Sequence, residues 1–444
     1  MSESTLTTKK IPNKRWLHII PPILLVYIVA YMDRTNVGFA MAGGMSKELG
    51  MTASVSGIAA GIFFIGYLFL QVPGGQIAEK RSAKKFISFT IIAWGILAIA
   101  SGFSRNTTQL LILRFLLGVA EGGVMPAVLT IVRHWFPSEE RGRATAFVIM
   151  NNPIASIITG PLSGLILTKF TWHYVFIIEG IISLALILIW LPLISDRPET
   201  AKWISKEERD YLVERLEAEQ KCMEVSQQKK TSLKDILNNK TLWKLVLIFF
   251  FVQTGVYGYT LWLPTILKNL TNTGMGQVGI LSIFPYIATI IGLFVFPSLS
   301  DKSMKRKKYI VITIVGFAIC LYLSVGFQHS IWLSFIMLVG CGLFLQASSA
   351  IFMTIPPAVF SSEVAGGATG LINALGNLGG FIGPFLVGLL MQVFSYSMSI
   401  YSLVISLVLA IIITFTLPKE KNDCAHQTVP ENSVKNTSDV KSEF

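Results

Sequence analysis

Charge is scarce in this chain. Only 14% of its 444 residues are Asp, Glu, Lys or Arg, while 52% are apolar. Soluble globular domains carry about 25% charged residues, so that class is excluded. Cysteine is rarer still: Cys222, Cys320, Cys341 and Cys424 stand alone, without the paired spacing of a zinc site or a disulfide framework. The five histidines are scattered. No nucleophile motif, metal cluster or phosphate-binding loop lies near the end of an apolar run, which argues against an integral-membrane enzyme. No cofactor and no metal are expected.

What the chain has instead is long apolar runs. A transmembrane helix needs ~20 such residues, and twelve candidates fall near 16–42, 54–78, 86–103, 107–133, 141–168, 172–194, 241–268, 275–299, 307–327, 331–360, 364–392 and 396–417. The first follows "KKIPNKRW" but is too long for a signal peptide and too polar at its far end, so it reads as a retained helix. The net charge of +12 raises the question of nucleic acid. Its distribution answers it. Thirty of the 37 Lys and Arg fall before the first span, in 79–85, 133–143, 195–240 and 301–308, and in the tail. All of these lie on one face of a twelve-span topology, which is the positive-inside pattern. A multi-pass membrane protein with both termini cytoplasmic, and no nucleic-acid partner, is the expectation.

The polar stretch 195–240 divides the spans six and six. Residues 1–194 and 241–418 therefore read as two six-helix lobes, and 419–444 as a short disordered cytoplasmic tail, too small for a sensor's signalling domain. In the connector, Ser205 and Glu208 have capping-box spacing, which predicts a surface helix without chemistry. The halves repeat: "FPSEERGRATA" at 136–146 aligns with "FSSEVAGGATG" at 360–370, and "GGQIAEKRSAKKF" at 74–86 with "PSLSDKSMKRKKY" at 297–309. Duplication of a six-helix unit is the architecture implied. The fold class expected is all-α, with twelve transmembrane helices in two pseudo-symmetric lobes.

Five charges sit inside apolar runs: Asp33 and Arg34 in "AYMDRTNVGFA", Arg114 and Glu121 in "RFLLGVAEGG", and Glu179. A mid-bilayer charge costs at least ~2.5–3.5 kcal/mol on insertion scales, so each needs a cavity or a partner. Arg114 and Glu121, seven residues apart, share one helix face. Arginine grips carboxylates bidentately and keeps its charge, which suits Arg34 and Arg114 to an organic anion. Asp33 and Glu121 are the candidates for proton uptake. The alternative is a structural ion network balanced among the four. Glu179 reads as structural, hydrogen-bonded to a neighbouring helix. Tyr67, Asn152, Gln253, Tyr257, Ser349, Asn373 and Asn377 interrupt other spans and are candidate substrate contacts; interhelical hydrogen bonding is the competing reading for each. Glu79 is placed to pair with Arg141 or Arg143 as a gate.

The acidic-then-basic loop at 79–85, echoed at 301–308, resembles the signature loop of the major facilitator superfamily. With "YMDRTNVGFA", "RFLLGVAEGGVMPA" and "WFPSEERGRA" the resemblance narrows to its anion:cation symporters, particularly the bacterial organic-acid members, and it runs from about Trp16 to Pro418. The resemblance implies proton coupling at Asp33 and Glu121, a binding region containing Arg34 and Arg114, and amide contacts to sugar acids from Asn152 and from Asn373 or Asn377. It also implies a monomer in the bacterial cytoplasmic membrane, working by alternating access. The expectation is therefore import of an organic anion with protons, a sugar acid such as an aldonate, uronate or aldarate. Its nearest rival is a proton-driven exporter of the same fold, since "TGPLSG" at 159–164 partly resembles an antiporter motif.

Overall fold

The structure, a computed structural model, describes residues 13–226, 237–360 and 362–417. The expected tail at 419–444 lies outside the described residues. Twelve helical spans follow in order. The first half contains α1 Lys14–Ala40, α2 Ala53–Ile77, α3 Ala83–Ser101, α4 Thr107–Gly122 continued by Val124–Trp135, α5 Ser138–Ile149 continued by Asn151–Lys169, and α6 Trp172–Ala185 continued by Ile187–Leu193. The second contains α7 Lys240–Thr271, α8 Met275–Leu281 continued by Ile283–Ser303, α9 Arg306–Gly326, α10 Ile331–Leu345 continued through Ala347–Phe352 and Ile355–Val359, α11 Ser362–Gly376 continued by Gly379–Val393, and α12 Tyr396–Phe415.

Length and apolarity alone mark ten of these helices as membrane-crossing. One of the ten, Ala53–Ser101, is two spans. It folds back where Ser82 adopts extended backbone (φ −154°, ψ 116°) and its hydroxyl caps the Lys85 N–H. The twelfth, α5, falls short on composition because Asn151, Asn152, Ser156, Thr159 and Ser163 dilute its apolar residues. After α1 the chain turns at Gly44, whose φ of +115° suits glycine.

Buried apolar side chains gather in two clusters. One draws on α1–α6 and the connector, with Tyr257 and Leu261 reaching in from α7; the other draws on α7–α12, joined by Phe39 of α1 and by Ala42 just beyond it. Between helices in lipid, close packing rather than water exclusion drives association, so small residues mark the seams. Within the first half, a Cβ on Gly118 of α4 would stand 2.0 Å from the Phe63 carbonyl oxygen of α2.

The halves are sealed at the end away from Lys14. There a Cβ on Gly57 would lie 2.4 Å from the Pro384 carbonyl oxygen, and one on Gly279 2.4 Å from that of Gly160. Hydrogen bonds cross the seam: the Ser54 N–H donates to Gln392 at 3.2 Å, and Lys268 Nζ to the Ala42 carbonyl at 2.6 Å. At the opposite end α4 and α5 border an open cleft of about 400 Å³, lined by Pro126, Leu129, Thr130, Val132, Arg133, Arg141 and Thr145.

The connector is more than a solvated linker. Its helix, Lys206–Ser226, is capped as expected, with the Glu208 N–H donating to Ser205 Oγ at 3.3 Å, but it docks on the first half. Glu208 is fully buried and accepts from Arg15 Nη1 at 2.9 Å, while Arg15 Nη2 also reaches Glu140 at 2.7 Å. Trp203 stacks on Trp135 at 5.0 Å and on His18 at 4.2 Å.

Two predictions follow from these contacts. Gly118→Val, inside one half, lowers the amount of folded protein, whereas Gly57→Val, between halves, folds but loses the sealed end. Size-exclusion profiles and thiol labelling of cysteines placed beside residue 57 separate the two outcomes. Arg15→Gln leaves Glu208 buried without its cation, a loss of about 3–5 kcal/mol, read as a lower midpoint in thermal unfolding.

Candidate functional site

Asp33 and Arg34 are neighbours in sequence, yet about 100° of helix separates their directions. Arg34 turns toward α4 and α2. Its Nε donates to Glu121 Oε2 at 2.9 Å, and its guanidinium lies 4.7 Å from the Tyr67 ring centre and 5.1 Å from that of Phe63. Asp33 turns toward α6, where Oδ2 accepts from Ser183 at 2.9 Å. The two adjacent side chains therefore turn to different neighbouring helices. Arg114 Nη1 donates to the Asp33 backbone carbonyl at 2.8 Å, and its guanidinium stands 5.6 Å from the Phe63 ring. Its Nε and Nη2, and Glu121 Oε1, are buried without a partner among the described residues.

Exposure distinguishes the two arginines. The Arg34 side chain retains 11% of its surface, whereas Arg114 and Glu121 are closed off. Arg34 is thus the more accessible of the two cations. The aromatic faces beneath it favour the cation without supplying a competing counter-charge.

Across the seam, the polar residues of the second half form a chain. Ser349 donates to Gln253 Oε1 at 3.4 Å, Gln253 Nε2 to Asn377 Oδ1 at 3.3 Å, and Asn377 Nδ2 to Asn373 Oδ1 at 3.2 Å. Four candidates from α7, α10 and α11 are thus brought together. Tyr257, one turn beyond Gln253, packs on Phe64 of α2 at 4.3 Å. Asn152 is half-buried on α5 and makes no side-chain bond in this set. This half contributes amides and hydroxyls; its Lys and Arg lie toward the helix ends and loops.

The gate residues are arranged differently from expectation. Glu79 pairs with Arg133 at the end of α4, with His134 Nε2 3.9 Å away. Arg141 turns instead to the connector and donates to Glu219 at 3.0 Å, and Arg143 lies 5.0 Å from the Trp16 ring. The reason is geometric: Arg133 ends α4 beside the loop after α2, whereas Arg141 and Arg143 start α5 under the connector and α1. The open cleft begins at Pro126, five residues and ~7.5 Å of helix beyond Glu121, and its lining includes none of the buried charges.

Sequence reading missed Asn36, Ser163 and Ser183 around the buried carboxyls, Phe63 beneath both arginines, and Arg133. Helical spacing offered a signal for two of them: Asn36 is three residues after Asp33, and Ser183 four after Glu179.

Comparison with known proteins decides the family. The profile of the Major Facilitator Superfamily matches residues 23–273 and 266–437. This chain belongs to that superfamily. It is a membrane transport protein rather than an enzyme, and the two matches meet at the end of α7. Among its relatives, a protein of Acinetobacter baumannii named as a quinolone resistance transporter is 33% identical, over 84% of this chain and 87% of its own. An Agrobacterium vitis protein named for tartrate transport is also 33% identical, over 85% and 88%. Among solved structures, a bacterial homologue of the human lysosomal transporter Spinster, inward-facing and occupied, has a TM-score of 0.72 at 15% identity, covering 91% of this chain and 97% of its own. That likeness concerns the fold.

The connector contact is pH-sensitive by a definite sign. Partial burial pushes Glu219 up, but the Ser138 N–H at 2.7 Å and the Arg141 guanidinium outweigh it and hold the carboxyl below its ordinary range. Docking by this group is complete above the ordinary glutamate value and is lost as pH falls through the lowered one. Glu219→Gln and Arg141→Ala therefore speed tryptic cleavage within 195–240 at neutral pH, while Arg133→Ala leaves the rate unchanged.

Proposed function

We propose that this protein imports an organic anion with protons by alternating access across a bacterial cytoplasmic membrane, with both termini in the cytoplasm. The observation that carries the reading is the Arg34–Glu121 ion pair: the one partly accessible cation of the buried set is held by a carboxylate. A proton on Glu121 weakens that pair and frees Arg34 for the substrate's carboxylate; a bound carboxylate in turn favours the proton on Glu121. Proton and anion are thereby bound together. Arg114 supports the same field from behind Phe63, and Asp33 serves as a second proton site.

The second half supports the remainder of the substrate. Ser349, Gln253, Asn377 and Asn373 supply neutral donors and acceptors suited to hydroxyl groups, with Tyr67, Tyr257 and Asn152 completing the walls. A sugar acid fits this division, with its carboxylate at Arg34 and its hydroxyls at the amides. Because this side of the site presents no cation among the described residues, aldonates and uronates come ahead of aldarates. The relative named for tartrate transport supports an organic acid in general. In this orientation the sealed end faces outward and the structure is inward-facing. Glu79, Arg133, Arg141 and Arg143 lie at the cytoplasmic end, where gate contacts must break and reform, and a monomer contains the whole pathway.

The energetics permit accumulation. A monovalent acid entering with one proton moves no net charge; with two, each cycle gains about 2.3 kcal/mol per 100 mV of membrane potential. Asp33 and Glu121 supply two sites.

Proton-driven export is the second reading, favoured by the relative named for quinolone resistance and by "TGPLSG" at 159–164. External pH in energy-depleted cells separates the two. Addition of a sugar acid alkalinises the medium if the protein imports by symport. Under the same reading Arg34→Ala raises the half-saturating concentration roughly tenfold to a hundredfold, and Glu121→Gln loses alkalinisation while keeping substrate exchange. Failure of every acid tested, together with proton-dependent extrusion of a quinolone, assigns export instead.

A further inference from the structure

Glu179 takes no part in the anion site, yet it is fully buried and joined to Asp33. Its Oε1 accepts from Ser163 at 2.9 Å and its Oε2 from Asn36 Nδ2 at 3.0 Å. The same Asn36 nitrogen is 3.5 Å from Asp33 Oδ1, so one amide touches both carboxyl groups. On the other side, Ser183 Oγ lies 2.9 Å from Asp33 Oδ2 and 3.0 Å from the Glu179 backbone carbonyl oxygen.

A hydroxyl has one proton to donate. Ser183 therefore divides its one proton between the Asp33 carboxyl and the Glu179 carbonyl, and with only the long Asn36 contact besides, Asp33 is the less well satisfied acid, whereas Glu179 accepts a full hydrogen bond at each oxygen and is the better held as a carboxylate.

Charge balance agrees. The groups facing one another are Asp33 and Arg34 from α1, Arg114 and Glu121 from α4, and Glu179 from α6, while α5 brings no charge to them among the described residues, only the Ser163 hydroxyl. Fully ionised, three carboxylates outnumber two guanidiniums, and an uncompensated buried charge is costly. One proton makes the set neutral.

We infer that Asp33 and Glu179 form one proton-binding unit, in which Asp33 carries the proton and the negative charge of Glu179 sets how tightly it is held. Only the use of this proton in transport rests on the symport reading; its residence does not. Glu179 is a positioning residue for the proton, set back from the anion site.

The test is infrared titration of the purified full-length protein in lipid nanodiscs, following the band of protonated carboxyl groups, with Asp33→Asn identifying the Asp33 component. Glu179→Gln keeps the shape and removes the charge, so the Asp33 midpoint moves to lower pH by about one unit, a tenfold weaker hold on the proton. Ser183→Ala moves it the opposite way, because a hydroxyl stabilises an ionised carboxylate more than a neutral one. An Asp33 band that is absent at neutral pH, or a midpoint unmoved in both variants, overturns the inference. Parallel uptake measurements with a protonophore keep the two readings apart. If the band titrates as stated while uptake ignores the protonophore, the proton-binding unit stands and the symport reading falls.

Discussion

Charge that is removed from water must be balanced where it stands, and the first half of this protein is built around that constraint. Asp33, Arg34, Arg114, Glu121 and Glu179 come from three helices and share one interior. Removing either arginine, or Glu121, leaves a neighbour uncompensated, so their arrangement is tightly determined. It can change only by exchange, when a proton or an anion replaces one member's partner. A site made this way responds to ligands in steps, since intermediate charge states are the costly ones.

The second half has no such constraint. Its amides and hydroxyls form a neutral chain across three helices, which can be broken and remade at about 0.5–1.5 kcal/mol per bond. One lobe thus holds charge under tight balance while the other offers adaptable contacts. The division fits a protein whose halves must part and meet in each cycle. The contacts at the sealed end follow the same logic: backbone against backbone at Gly57 and Gly279, with few strong bonds to break.

Much of this was legible from composition and period. The twelve spans, their near-equal halves and the buried charges all follow from apolar run length and from the cost of charge in lipid. The capping role of Ser205 was readable from its spacing. Directions were not. Asp33 and Arg34 look like a single feature in the chain, but helical geometry sends one to α6 and the other to α4. Glu79 could be assigned a cation but not a particular one, because the choice between Arg133 and Arg141 depends on how α5 enters the bundle. The docked connector was also hidden, since Glu208 looks solvated until Arg15 is brought beside it from 193 residues away.

The polarity of α5 has a consequence for how the chain reaches its fold. With two asparagines at its start and hydroxyls along its length, this helix gains little on its own from leaving the translocation channel for lipid. Its Ser163 hydroxyl meets Glu179 of α6, and Thr159 meets Thr35 of α1. The Thr159 hydroxyl also donates to the Ala155 carbonyl of its own helix at 2.8 Å, but that of Ser163 finds its acceptor only when α6 is present. Insertion of α5 is therefore favoured in company with α6, against the α1 already made, an order that encloses the acidic interior from lipid.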